Sequence, residues 1–272
     1  MKNEELRMKK RLDILLTERN FFESRAKSQA MIMSGKILVD GQKVEKSGTL
    51  IDVDAKIEII GEKMPFVSRG GLKLQKALDV FPINLREKIC VDIGASTGGF
   101  TDCMLQHGAK KIYAIDVGYG QLAWKLRNDE RVINFERTNI RNVTRADFAD
   151  ELNFASIDVA FISLEKVLPV ACEILKTDGE IVALIKPQFE AGRDKVGKKG
   201  VVRDKNIHEE VLKKILSFAQ EIDLKICGLD FSPIKGPEGN IEYLSYFVKN
   251  FDEEINLDKK ISAVIDAAHK NF

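Results

Sequence analysis

The stretch Cys90–Phe100, CVDIGASTGGF, decides how the rest of the chain is read. An apolar run over 89–93 stops abruptly in small residues and resumes as FTDCMLQ, whose apolar positions have helical spacing. A second apolar run, 111–117, carries Asp116 near its end, 22 residues after Gly94. The pattern predicts a buried strand, a glycine-rich turn, a helix and a second strand. Glycines let a ligand touch the backbone, and an acid at the next strand tip can hold two ribose hydroxyls. GASTGG lacks G-x-G-x-x-G spacing, so no helix N-terminus is clearly offered to a pyrophosphate. A nucleoside without phosphates fits better, and S-adenosylmethionine is the common one. The candidate cofactor residues are Asp92, Gly94, Ala95, Ser96, Gly98, Gly99, Phe100, Asp116 and Val117. The plainer alternative is a turn that merely joins strand to helix.

Composition sets the outer bounds. The 272 residues suit one large or two unequal domains with a real core. With 44% hydrophobic and 31% charged residues, the chain reads as an ordinary soluble globular protein. A net charge of +1 announces no nucleic-acid partner, although a local basic face can coexist with an acidic remainder. Cys90, Cys103, Cys172 and Cys227 are widely spaced and form no C-x-x-C, and no histidine clusters with them. No metal site or disulfide framework is expected; the thiols fit a cytoplasmic protein. No run approaches the ~20 apolar residues of a membrane span, and no signal-peptide core follows the N-terminus.

Two regions differ in grain. Residues 1–62 hold short elements: helices over 10–18 and 24–34, then strands over 36–39, 42–44 and 56–60, with Asp40-Gly41 as a hairpin turn. Gly61 to Pro65 punctuates the chain, so 1–62 is read as a small α+β domain, 63–67 as a linker and 68–272 as a second domain. There strands alternate with helices. Strands are expected at 89–93, 111–115, 132–135, 157–162 and 180–185, and helices at 71–81, 100–106, 119–127, 167–175 and 206–222. That is an α/β, Rossmann-like, mainly parallel sheet covered on both faces. Strands over 224–232 and 241–249, joined by SPIKGPEGN, should close one edge as an antiparallel pair.

Residues 11–48 resemble the small RNA-binding domain named after ribosomal small-subunit protein S-four. The resemblance is carried by Arg11-Leu12-Asp13, Ser24-Arg25, Ala30, Ile32, Gly35-Lys36 and Asp40-Gly41. Ser24 is placed to cap the second helix. Arg11, Arg25, Lys27 and Lys36 then form a candidate phosphate-binding face. Asn20 stands where the family often has glycine; asparagine tolerates the left-handed conformation.

Four further segments, SRGGLKL (68–74), DVAFISL (158–164), ALIKPQFEAG (183–192) and GPEGNIEY (236–243), join GASTGGFTD in a second resemblance. Together they resemble the TlyA-type, or hemolysin-A-like, ribosomal RNA methyltransferases, relatives of the FtsJ-type 2′-O-methyltransferases. The resemblance covers nearly the whole chain. It implies an S-adenosylmethionine-dependent enzyme acting on a cytidine ribose in ribosomal RNA or ribosomal subunits. It also implies a catalytic set of Lys73, Asp158, Lys186 and Glu242, with Asp158 bordering the cofactor too. The residue types suit the chemistry. A 2′-hydroxyl is a weak acid and needs a base or a strong electrostatic partner. A lysine serves as base only with its pKa lowered by burial or a neighbouring ammonium, and acids can orient the pair.

Three features stay open in the sequence. Asn139 suits an adenine contact or a turn cap. The loop 192–205, with Arg193, Lys198 and Lys199, suits RNA phosphates or solvent, and Arg69 in SRGG is a further RNA candidate. Trp124 is expected to pack against the sheet. A non-catalytic ribosome-assembly protein on the same fold is the competing function; membrane lysis has no sequence support.

Overall fold

The structure is a computed structural model that describes residues 8–22, 24–60, 64–249 and 257–272. The chain divides into two compact units, Met1–Lys63 and Met64–Phe272. Gly61, Glu62 and Lys63, part of the expected punctuation and linker, lie outside the described residues.

In the small unit, β1 (Lys9–Arg11) pairs antiparallel with β4 (Leu50–Asp52). Helices α1 (Leu12–Glu18) and α2 (Arg25–Met33) follow β1. A second antiparallel sheet has the order β3-β2-β5, formed by β2 (Ile37–Val39), β3 (Gln42–Lys43) and β5 (Ile57–Ile59). Leu12, Leu15, Leu16, Ile32 and Ile37 make the core. The first helix begins two residues later than its pattern suggests, because Lys9–Arg11 is recruited as a strand by Leu50–Asp52, a partner no local periodicity announces. Asp40 (φ 49°) and Gly41 (φ 77°) give the hairpin its positive-φ turn, and Asn20 (φ 58°) takes the left-handed conformation. Ser24 caps α2 by accepting from the Lys27 N–H at 3.3 Å.

The large unit begins with α3 (Gly70–Val80). Then come β6 (Ile89–Ile93), α4 (Gly99–Gln106), β7 (Lys111–Ile115), α5 (Trp124–Arg127) and β8 (Val132–Phe135). The chain continues with β9 (Leu152–Ile157), α6 (Leu168–Ile174), β10 (Leu175–Ile185), α7 (Pro187–Glu190) and α8 (Lys205–Glu221). It ends with β11 (Leu224–Phe231), β12 (Tyr243–Lys249) and α9 (Leu257–Asn271). The seven strands have the order β11-β12-β10-β9-β6-β7-β8. Only β12 runs antiparallel to its neighbours, closing the edge with β11. One core lies under α3, α4 and α5, the other under α6, α8 and α9, so both faces are covered.

Three expectations need correction. The strand expected at 157–162 ends at Ile157, because its parallel register sets Phe154–Ile157 opposite Cys90–Ile93. The apolar residues after it form a loop in which Phe161 has φ 62° and is 91% exposed. The helix expected from 119 starts at Trp124, since Gly120 (φ 69°) interrupts it. Trp124 itself is 77% exposed rather than packed on the sheet; Leu122 and Leu126 do the burying. The final helix, α9, was not anticipated.

Candidate active site

The chain enters the sheet at β6, builds β7 and β8 on one side, then returns to place β9 on the other. Ligands of open α/β sheets bind where such a reversal opens a crevice at the carboxyl ends of the strands. A cavity of about 1120 Å³ lies there, bordered by Ile93, Ile115, Asp116 and Asp158. Gly94 (φ 86°) turns the chain at its floor: a Cβ there would sit 2.7 Å from the Asp158 carbonyl oxygen. Only glycine allows that approach. Asp116 follows β7, and its carboxylate accepts from the Ser96 N–H (2.8 Å) and the Gly118 N–H (2.7 Å).

Of the candidate cofactor residues, Gly94, Ser96, Asp116, Val117, Asn139 and Asp158 line this cavity. Asp92, Ala95, Gly98, Gly99 and Phe100 do not; they support the turn from beneath. Asp92 is fully buried, accepting from Thr101 Oγ1 (2.6 Å) and Ser156 Oγ (3.0 Å). Burial pushes its carboxyl up to about 6, against those two hydrogen bonds. Ala95 and Phe100 belong to the core. Gly98 is needed because Leu126 of α5 occupies the space of a Cβ, and Gly99 because Ser68 and Gly71 do. Asn139 caps a turn, its Oδ1 accepting from the Arg141 N–H (3.1 Å), and the residue also borders the cavity.

The four candidate catalytic residues meet in one cluster, of which Asp158 lines the cavity while Lys73, Lys186 and Glu242 are buried behind it. Lys73 comes from α3, Asp158 follows β9, Lys186 follows β10, and Glu242 precedes β12. Sheet register explains the meeting: Ile185 pairs with Tyr243 and Ala183 with Ile157, so the three strand ends finish level. Lys73 Nζ donates to Glu242 Oε2 (2.7 Å) and, at 3.4 Å, to Asp158 Oδ2. Lys186 Nζ lies 2.5 Å from Asp158 Oδ1 and donates to the Val159 carbonyl at 2.8 Å. Charges thus alternate along a chain of Glu, Lys, Asp and Lys, all largely buried. Burial alone would raise the Asp158 carboxyl, but the two ammonium groups outweigh it and hold it below its ordinary range. Gln188 of α7, which the sequence reading did not single out, reaches Glu242 Oε1 at 3.4 Å and borders the cavity. Its signal was the PQFE segment after Lys186.

The candidate RNA residues divide. In the small unit Arg11 and Arg25 both bind the buried Asp13: Arg11 through Nε and Nη2 at 3.0 Å each, Arg25 through Nε at 2.9 Å. They are structural clamps as well as half-exposed cations. Lys27 and Lys36 are exposed. In the large unit Arg69, Arg193, Lys198 and Lys199 are exposed. Among the described residues no cluster of potential metal ligands occurs, and no helix is long and apolar enough to cross a membrane.

The fold defines a two-unit protein whose larger unit is a seven-stranded α/β sheet of the methyltransferase kind, with a crevice at the carboxyl ends of its strands. Residues 66–249 match the FtsJ-like methyltransferase family and residues 10–57 match the S4 domain. The chain belongs to the FtsJ-like methyltransferase family, with an S4 domain at its N-terminal side. It is 49% identical over 268 residues to "Putative rRNA methyltransferase YqxC" of Bacillus subtilis, covering 97% of this chain and 95% of that one. It is 38% identical over 261 residues to "16S/23S rRNA (cytidine-2'-O)-methyltransferase TlyA" of Mycobacterium tuberculosis, covering 96% of each. Among solved structures, "Putative hemolysin from Streptococcus thermophilus" superposes with a TM-score of 0.78 at 46% identity, covering 98% of both chains.

Proposed function

We propose that this chain transfers a methyl group from S-adenosylmethionine to a ribose 2′-hydroxyl of ribosomal RNA, at a cytidine. The observation that carries this reading is the alternating Lys73, Glu242, Asp158 and Lys186 chain, which reaches the crevice at Asp158. The cavity suits the cofactor: Asp116 offers a carboxylate for a ribose diol, Val117 and Ile140 offer apolar flanks for a purine, and Gly94 leaves the backbone open. When bound, the cofactor supplies a methyl group on a sulfonium, whose charge is discharged on transfer.

The chain's own residues act on the acceptor oxygen. An ammonium has three donors. In Lys186 two are engaged by Asp158 and the Val159 carbonyl, leaving one to face the 2′-oxygen. Asp158 fixes that ammonium, and Lys73 with Glu242 fixes Asp158, so the polar groups need little reorganisation during reaction. To take the hydroxyl proton, Lys186 must first lose the proton at that third position. The neutral amine keeps two N–H donors on Asp158 and the Val159 carbonyl and turns its lone pair to the 2′-hydroxyl. It accepts the hydroxyl proton as the oxygen–carbon bond forms and the carbon–sulfur bond breaks. Positioning and fixed electrostatics supply most of the rate. The S4 domain and the exposed Arg69, Arg193, Lys198 and Lys199 supply phosphate contacts.

The test is a map of 2′-O-methyl groups on ribosomal RNA from cells with the gene, without it, and with Lys186→Ala. The expected result is a methylated cytidine present only with the intact gene. Purified protein and labelled cofactor on naked RNA, each subunit and whole ribosomes then identify the substrate. An unchanged methyl map, with no transfer to any of these, would leave the competing ribosome-assembly function.

A further inference from the structure

Behind Glu242 lies a buried polar network that methyl transfer does not itself use. His208 of α8 is fully buried. Its Nδ1 lies 2.6 Å from Tyr243 Oη and 3.2 Å from His269 Nε2, and its Nε2 lies 3.1 Å from the Val202 carbonyl oxygen. A carbonyl can only accept, so Nε2 carries the proton and donates to Val202. Nδ1 therefore accepts from the Tyr243 hydroxyl. The Val202 N–H donates to Asn240 Oδ1 at 3.0 Å, and Asn240 Nδ2 donates to the Gly200 carbonyl at 2.8 Å.

Both anchors flank Glu242 in the chain: Asn240 lies two residues before it and Tyr243 one after. What they hold is the C-terminal part of the basic loop. Further back, Gly192, Arg193, Val196, Gly197 and Gly200 of the same loop border the cofactor cavity, while Lys198 and Lys199 are exposed beside them. Backbone bonds inside the loop are few: Lys195 N–H to the Gly192 carbonyl (3.3 Å), Gly197 N–H to the Val201 carbonyl (3.1 Å) and Gly200 N–H to the Gly197 carbonyl (3.1 Å).

We propose that His208 is a positioning residue for RNA methylation: as a neutral imidazole it locks Val202, and with it the basic loop 193–202, to the strand that begins beside Glu242. The proposal rests on the methyltransferase reading above. The groups facing the imidazole are Tyr243 from β12, His269 from α9 and Asp204 at the start of its own helix, with the Lys205–Asp266 pair beside His269. Burial holds both histidines below the ordinary 6.5. Acidification adds a charge and a proton at Nδ1, which then no longer accepts from Tyr243.

Hydrogen–deuterium exchange over 196–203 in the full-length protein, with steady-state kinetics on ribosomal substrate, tests this. His208→Leu should speed that exchange at least tenfold and raise KM for RNA at least tenfold. Its kcat should stay within threefold, because strand register holds the four charged residues independently. His208→Gln can donate to Val202 and accept from Tyr243, so it should restore both. Wild-type exchange, corrected for intrinsic rates, should be flat above pH 6.5 and rise relative to the glutamine variant as pH falls below it, through the lowered pKa of the buried imidazole. If the leucine variant does not fold, the pH series of wild type against glutamine decides. Unchanged exchange in the leucine variant, faster exchange with unchanged KM, or parallel pH curves would each overturn the proposal. Exchange needs no catalysis, so a locked loop in a wild-type protein that methylates no RNA would count against the methyltransferase reading alone.

Discussion

Each unit of the molecule buries one ionic network, and the two are built on opposite plans. In the small unit a single carboxylate, Asp13, is surrounded by donors from Arg11, Arg25 and Gln29 (2.8 Å). Its acceptor capacity is spent, and the guanidinium groups hold it far below the usual carboxylate range. In the large unit two ammonium groups alternate with two carboxylates. One link, Lys73 to Asp158, is long at 3.4 Å, and Asp158 borders a cavity. The first arrangement joins β1, α1 and α2 and leaves nothing over. In the second, Lys186 makes two polar contacts, to Asp158 and the Val159 carbonyl, and Asp158 opens onto the cavity. A saturated network holds a fold together; an unsaturated one beside a cavity can act on a ligand.

The largest test of this contrast is Lys186→Ala. Single-turnover methyl transfer should fall by ~10³-fold or more, the range for losing a positioned proton-transfer group. Calorimetry should find cofactor affinity nearly unchanged. Lys186→Arg should not rescue, since a guanidinium does not deprotonate and has a different fork. If the hydroxyl proton leaves through Lys186, the wild-type single-turnover rate should climb with pH to a plateau. A near-normal rate in the alanine variant would reduce this network to the structural kind.

Removing residues 1–62 should leave cofactor binding intact while lowering kcat/KM on ribosomal substrate by ~100-fold, because phosphate contacts carry much of RNA affinity. Full activity of the truncated protein would reject an RNA role for the small unit.

Asp13→Ala should destabilise the small unit by about 2 kcal/mol, the scale of lost charged hydrogen bonds, measured by denaturant unfolding at pH 7. The sign of the pH effect follows from the lowered folded-state pKa. The stabilisation is present above the unfolded value near 3.8 and is lost as pH falls below it. The variant should therefore differ from wild type at pH 7 and converge with it in strong acid.

Asp116→Ala should weaken cofactor binding by at least ~1.4 kcal/mol, a tenfold change in Kd. Gly94→Val should do the same, since its Cβ meets the Asp158 carbonyl. Unchanged affinity in both, by calorimetry, would remove the crevice as the cofactor site.

Opposite in sign to the pH effect at Asp13 is that at Asp92. Its folded-state pKa is raised to about 6, so folding loses stability as pH climbs from the unfolded value near 3.8 through about 6. Asp92→Asn should flatten that part of the stability–pH curve, whose full span for a shift of about two pKa units is about 3 kcal/mol. A melting series from pH 4 to pH 8 reads it.

Much of this was legible in the chain because the signals are local. The strands 89–93, 111–115 and 132–135 fall where apolar runs predict them, each bounded by turn residues. Ser24, Asn20 and Asp40-Gly41 announce a cap and two left-handed turns through their own side-chain chemistry. The four motif residues were chosen by resemblance, and the sheet then brings them within ion-pair distance.

What local pattern could not determine is anything set by a distant partner. The end of β9 at Ile157 depends on its register with β6, not on its own apolar run, which continues through Ile162. The separation of Gly94, which borders the cavity, from Gly98 and Gly99, which make room for α5 and for the Ser68–Gly71 turn, depends on packing from elsewhere in the chain. Arg11 and Arg25 look like free cations in sequence, yet they converge on Asp13 because β1, α1 and α2 meet there. Periodicity and turn chemistry act over a few residues, which is why the fold class and the candidate residues could be read from the chain. Register and side-chain packing join residues far apart, so they alone separate the candidates that border the cavity from those that hold the scaffold.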